Sequence, residues 1–110
     1  MTAKYRGVGD KLHFTVSGAD VVGGTTHTEA DAFGVISADA AIGEQAVLNL
    51  FGEFEVVAES AETWAPGEFV YEASGTFSNV SGTNTLRGWV SEPKANGATV
   101  GSVILFPGLA

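Results

Sequence analysis

Apolar residues in this chain recur at every second position, in short runs that break at glycine, serine, asparagine or proline. Leu12, Phe14 and Val16 alternate with Lys11, His13 and Thr15; Ala46, Leu48 and Leu50 alternate with Val47, Asn49 and Phe51; Phe54 and Val56 alternate with Glu53 and Glu55. A period of two sends successive side chains to opposite faces of a strand, and a helix cannot use it to bury one side. No segment keeps a 3.6-residue period over three capped turns, and the best helical candidate, residues 37–44, amounts to one or two turns. The 15 glycines and 3 prolines supply the turns that many short strands require. The pattern predicts an all-β chain.

Strands are expected at residues 11–16, 32–36, 46–51, 53–57, 68–72, 76–78, 86–90 and 99–106, with Gly52 breaking the longest alternating stretch at a corner. Residues 23–31 are polar and read as a loop, Ser74-Gly75 and Ser81-Gly82 as turns, and Asn96-Gly97 as a hairpin turn. Seven or eight strands at this spacing predict a small β-barrel or sandwich. At 110 residues the chain is long enough for one hydrophobic core, so a single domain over residues 1–110 is expected, with residues 1–10 as an extended arm. No internal repeat or low-complexity tract interrupts it.

Charge is distributed unevenly. Thirteen acidic residues face five basic ones for a net charge of −8, and between Leu12 and Leu86 there is no Lys or Arg at all. Lys4, Arg6 and Lys11 make the first eleven residues basic, while Asp20 to Glu72 holds eleven carboxylates. Phosphates would be repelled by such a body, so nucleic acid is ruled against as a partner unless it meets only the N-terminal arm. No apolar window approaches the roughly 20 residues of a membrane-spanning helix, and residues 1–10 lack the apolar stretch of a signal peptide, so no membrane is expected either. With no cysteine, disulfides and thiolate metal sites are unavailable.

Candidate chemistry is sparse. His27, Glu29 and Asp31 at i, i+2 and i+4 would share one face of an extended segment and could hold a metal for a small β-barrel enzyme, against the plainer reading of a solvated loop. Glu53 and Glu55 could pair for glycoside chemistry, against outward positions on a half-exposed strand. No Gly-x-Ser-x-Gly elbow or complete phosphate loop is present. No catalytic residue, metal or cofactor is therefore expected. Trp89 reads as core. Trp64, in a loop between Glu62 and Pro66, is a candidate interface aromatic with local packing the equal alternative, and Lys4, Tyr5, Arg6 and Val8 on the arm are candidate partner contacts.

The order of the pieces Ala32-Phe33-Gly34-Val35, Ala41-Ile42-Gly43-Glu44, Leu50 to Val56, Pro66-Gly67-Glu68-Phe69-Val70-Tyr71 and Thr85-Leu86-Arg87-Gly88-Trp89-Val90, closed by a strand from Gly97 to Phe106, resembles a family of small tailed-bacteriophage capsid decoration, or cement, proteins. That family long carried a domain-of-unknown-function label and is sometimes misannotated as a recombinase. The resemblance runs from about Lys11 to the C-terminus and implies a β-tulip-like domain without catalytic residues. It implies binding to the major capsid protein on the outer surface of the expanded head, bridging of neighbouring subunits, and self-association as a homotrimer or dimer. Synthesis in the host cytoplasm and residence on the virion follow from the same resemblance. Its N-terminal segment, here Thr2 to Val8, would reach onto the capsid. Arg87-Gly88-Trp89 stands where small aliphatic residues are usual in that family. A head fibre base or a tail-tube component is the alternative virion role.

Overall fold

The alternating stretch around Gly52 becomes two strands that belong to different sheets. A computed structural model of the chain describes residue 3 and residues 9–106. Among them run β1 (Lys11–Thr15), β2 (Thr26–Glu29), β3 (Ala32–Ile36), β4 (Gln45–Asn49), β5 (Gly52–Val57), β6 (Phe69–Ala73), β7 (Thr76–Ser78), β8 (Thr85–Val90) and β9 (Val100–Leu105). One sheet has the order β1-β4-β3-β2 and the other β5-β9-β8-β6-β7, with antiparallel pairing throughout both. The corner lies where the sequence places it: Gly52 has φ +133°, a conformation that L side chains rarely adopt.

The architecture is an all-β, sandwich-like pair of sheets. A parallel bridge between Ala58 and Phe77 brings β7 back toward β5, so the five-stranded sheet curls without closing into a barrel. Inside the curl lie Val56, Ala58, Trp64, Val70, Phe77, Val90, Val103 and Leu105, joined by Val35 and Phe33 from β3 of the other sheet. A second cluster, Phe14, Val16, Ile36, Ala40, Ala46 and Leu48, fills one face of the four-stranded sheet. That face is the one the alternation of Leu12, Phe14 and Val16 specifies.

Three local expectations change. Residues 23–31 are not wholly loop, because Thr26–Glu29 pairs with β3 through a two-residue connection in which Ala30 takes φ +53°. A strand with no large apolar residue is held here by backbone pairing and by the His27 ring stacked on Phe14 at 4.9 Å between centroids. Residues 37–44 contain no helix and end in a turn. Asn96-Gly97 forms a turn closed by Ala98 N to Ala95 O at 3.1 Å, but inside the long β8–β9 connection rather than as a tight hairpin.

One turn design occurs twice. In Ala41-Ile42-Gly43-Glu44 and in Ala65-Pro66-Gly67-Glu68 the fourth residue donates its N–H to the first residue's carbonyl, and its carboxylate accepts the first residue's N–H at 2.7 and 2.8 Å. The turns precede β4 and β6, and in each the glycine N–H is donated to a distant strand end, Gly43 to Val16 O at 2.8 Å and Gly67 to Val90 O at 2.9 Å, which ties the strand entry to the rest of the fold.

Candidate interaction surface

The outward side of the five-stranded sheet can be built from register alone. Glu53 lies opposite Ile104, Ile104 opposite Trp89, and Trp89 opposite Phe69, so these four side chains form one row across β5, β9, β8 and β6. Their neighbours along each strand, Phe54, Val103, Val90 and Val70, point the other way into the core. A bulge between Val70 and Tyr71 then shifts the register so that Leu86 faces Tyr71 on the outward side as well.

This outward row is aromatic and open. Trp89 stacks beside Phe69 with centroids 6.2 Å apart and meets the edge of Phe106 at 4.2 Å. Phe69 is 50% and Phe106 39% exposed. Aromatic groups held rigid by a sheet lose little conformational entropy on contact, which suits them to anchor a partner. Trp89 is therefore a surface residue, contrary to the expectation that it lies in the core: Gly88 and Val90 take the inward positions on either side of it.

The flank of the row is acidic. Glu53 and Glu55 project outward from β5, and β5, β6, β7 and β9 contain no Lys or Arg. The one cation in the five strands, Arg87, turns inward. Its guanidinium carbon sits 3.8 Å from the centroid of the Phe33 ring, and its Nε donates to Glu72 Oε1 at 3.2 Å. Glu72 in turn accepts Gly75 N at 2.8 Å and so holds the β6–β7 hairpin turn. The ion pair is thus part of the join between the two sheets.

Trp64 occupies the opposite situation from the one expected of an interface aromatic. It is 1% exposed, and its ring lies so close to Gly101 that a Cβ there would fall 2.3 Å from Cζ3. Its Nε1 donates to Glu62 at 3.0 Å; the same carboxylate accepts Ser78 Oγ at 2.6 Å and Asn79 N at 2.9 Å. Burial pushes the Glu62 carboxyl upward, but the hydrogen bonds from Ser78, Trp64 and Asn79, with the charge of Lys94, outweigh it and hold the pKa below the usual range. Lys94, 4% exposed, donates to the Glu62 carbonyl and lies 5.5 Å from the Trp64 ring centroid. The loop is pinned by this network, so of the two readings of Trp64 the structure shows local packing.

The remaining candidates fall apart geometrically or lie elsewhere. Lys4, Tyr5, Arg6 and Val8 lie outside the described residues. His27 and Glu29 meet at 3.1 Å, while Asp31 sits in the following turn, and no group of three His, Asp or Glu among the described residues is placed to hold a metal. Glu53 and Glu55 are exposed on the sheet's outward side, facing Ile104 and Ser102. A cleft between β2 and β5, lined by Thr26, Val35, Glu55, Val57 and the Ser74-Gly75 turn, brings in only Glu55 as an ionisable group. The aromatic row was not singled out from the sequence, although Phe69 alternating with buried Val70 was a usable signal.

Comparison with curated proteins and with solved structures gives no match. A family model described as phage cement protein matches residues 7–105, which takes in all nine strands and both sheets. The chain belongs to the phage cement protein family, a structural kind of protein with a place on the phage capsid.

Proposed function

We propose that this protein decorates the outer surface of the expanded phage head, binds the major capsid protein, and stabilises the shell by bridging neighbouring subunits without catalysing a reaction. The observation that carries this reading is the family match over the entire β domain. It is supported by a surface suited to contact: a rigid aromatic row on one sheet, and side-chain networks spent on holding loops rather than converging on a cleft. Several copies associated as a homotrimer or dimer would bind one lattice point more tightly than a single copy, since the second and third contacts form at high effective concentration. The basic segment with Lys4, Tyr5, Arg6 and Val8 supplies a further contact to the capsid in this reading.

The test is addition of purified protein to heads that lack it, with copies per head counted by electron microscopy and the coated heads challenged by heat. Coated heads should rupture at a higher temperature than bare ones; equal rupture temperatures at full occupancy refute the stabilising role. Deleting residues 1–8 should leave the thermal midpoint of the β domain unchanged and lower head occupancy several-fold. Unchanged occupancy removes that segment from the contact.

A further inference from the structure

We infer that the outward face of the five-stranded sheet, centred on Phe69, Trp89 and Phe106 and flanked by Glu53 and Glu55, is a second docking site. Its partner is a shell protein surface with an apolar side chain framed by lysine or arginine. The inference rests on the capsid reading above and names the face and the partner chemistry within it.

Three observations select this occupant. The row Ile104, Trp89 and Phe69 is continuous across three strands; Phe69 is 50% exposed, and Phe106, packed against Trp89, is 39% exposed. Such a cluster favours an apolar partner group at its centre. Next, among the described residues the charge on this face has one sign: Glu53 and Glu55 are exposed, and Arg87 is turned inward onto Glu72 and Phe33. A basic rim on the partner is the complement. A second copy of this face does not provide it, because an isologous pairing would add two more carboxylates and no cation.

The chain's own residues 1–8 are the remaining alternative occupant, and the experiment below separates them from a shell protein.

The experiment uses full-length protein and bare heads, with occupancy measured against protein concentration. Phe69→Ser with Phe106→Ser should weaken binding at least tenfold while leaving the thermal midpoint and the solution mass unchanged. Glu53→Lys with Glu55→Lys should weaken it comparably at low salt, with the difference shrinking as salt rises. Val22→Ser, at an exposed apolar position on a loop of the other sheet, should have no effect. Equal binding by the wild type and both double variants overturns the inference and leaves the capsid reading intact. Loss of self-association in the aromatic variant assigns the face to a second copy instead, and also overturns it. So does a red shift of Trp89 emission on deletion of residues 1–8, which would make that segment the occupant. Wild-type protein that coats no heads refutes the capsid reading and this inference together.

Discussion

Replacing Glu62 by Gln tests the account of the Trp64 loop with little change in shape. The carboxylate accepts hydrogen bonds from the Trp64 indole, the Ser78 hydroxyl and the Asn79 amide. Glutamine offers one carbonyl oxygen and an amide nitrogen that donates. The indole and the Asn79 amide both bond to Oε1 and can keep a neutral acceptor, while Ser78, which bonds to Oε2, must turn its hydroxyl from donor to acceptor. Hydrogen bonds to a charged acceptor contribute about 1.5–3 kcal/mol against about 0.5–1.5 for neutral ones. Because Glu62 is only partly buried, the loss from three weakened bonds comes to about 1–2 kcal/mol rather than the full difference. For a domain of this size that lowers the thermal midpoint by about 5–10 °C.

The pH dependence gives this prediction its sharper edge. The folded-state pKa of Glu62 lies below its ordinary value of 4.5, so its ionised form contributes stability that is fully present above the unfolded pKa. That contribution is lost as pH falls through the lower, folded value. The quantity to follow is the gap between wild type and Glu62→Gln in urea unfolding, from which contributions common to both proteins cancel. The gap should be largest at pH 7, hold down to about pH 5, and narrow at lower pH. A gap that stays constant with pH, or a Gln variant as stable as wild type at pH 7, refutes the assignment of Glu62 as the charged hub of the loop.

Two further substitutions test the packing. Arg87→Met should destabilise by about 3–5 kcal/mol because it leaves Glu72, 8% exposed, as a buried charge without its partner; Arg87→Met with Glu72→Met should recover much of that loss in chemical denaturation, and a double variant no better than the single one refutes the pair as the cause. Gly101→Ala should cost about 1–3 kcal/mol by pushing its Cβ into the Trp64 ring, read as a lower thermal midpoint with altered Trp emission, and a neutral result means that the ring has room to move.

Much of the fold was legible because it depends on local signals. The alternation of Leu12, Phe14 and Val16 fixes the buried face of β1, and Gly52 marks the corner between sheets. What failed depends on partners far along the chain. β2 has no apolar alternation of its own and becomes a strand only by pairing with β3 across Ala30 and Asp31. Trp89 was misplaced in the core, and Trp64 left open between interface and packing, for a similar reason. In β8, Leu86 and Val90 share one phase of a regular strand and Trp89 the other, so counting from either end gives a different buried set. The bulge removes the conflict by carrying Leu86 to the same side as Trp89. Trp64 looks loop-borne because its neighbours are Glu62 and Pro66, yet the bridge to Lys94 and the bare surface of Gly101 make the cavity it fills. The functional class was readable from the order of the motifs, whereas the aromatic row required cross-strand register.

The inward turn of Arg87 and Lys94 also sets the charge that one copy of the domain would present to another. With one cation bonded to Glu72 and the other enclosed beside Trp64, the domain beyond β1 offers its neighbours carboxylates with almost no compensating positive charge. Two such domains brought side by side would repel one another over a Debye length, about 8 Å at physiological ionic strength and about 30 Å in dilute buffer. In the capsid role proposed above, any self-association would have to offset this repulsion, so the occupancy of bare heads should rise with added salt until the sites fill.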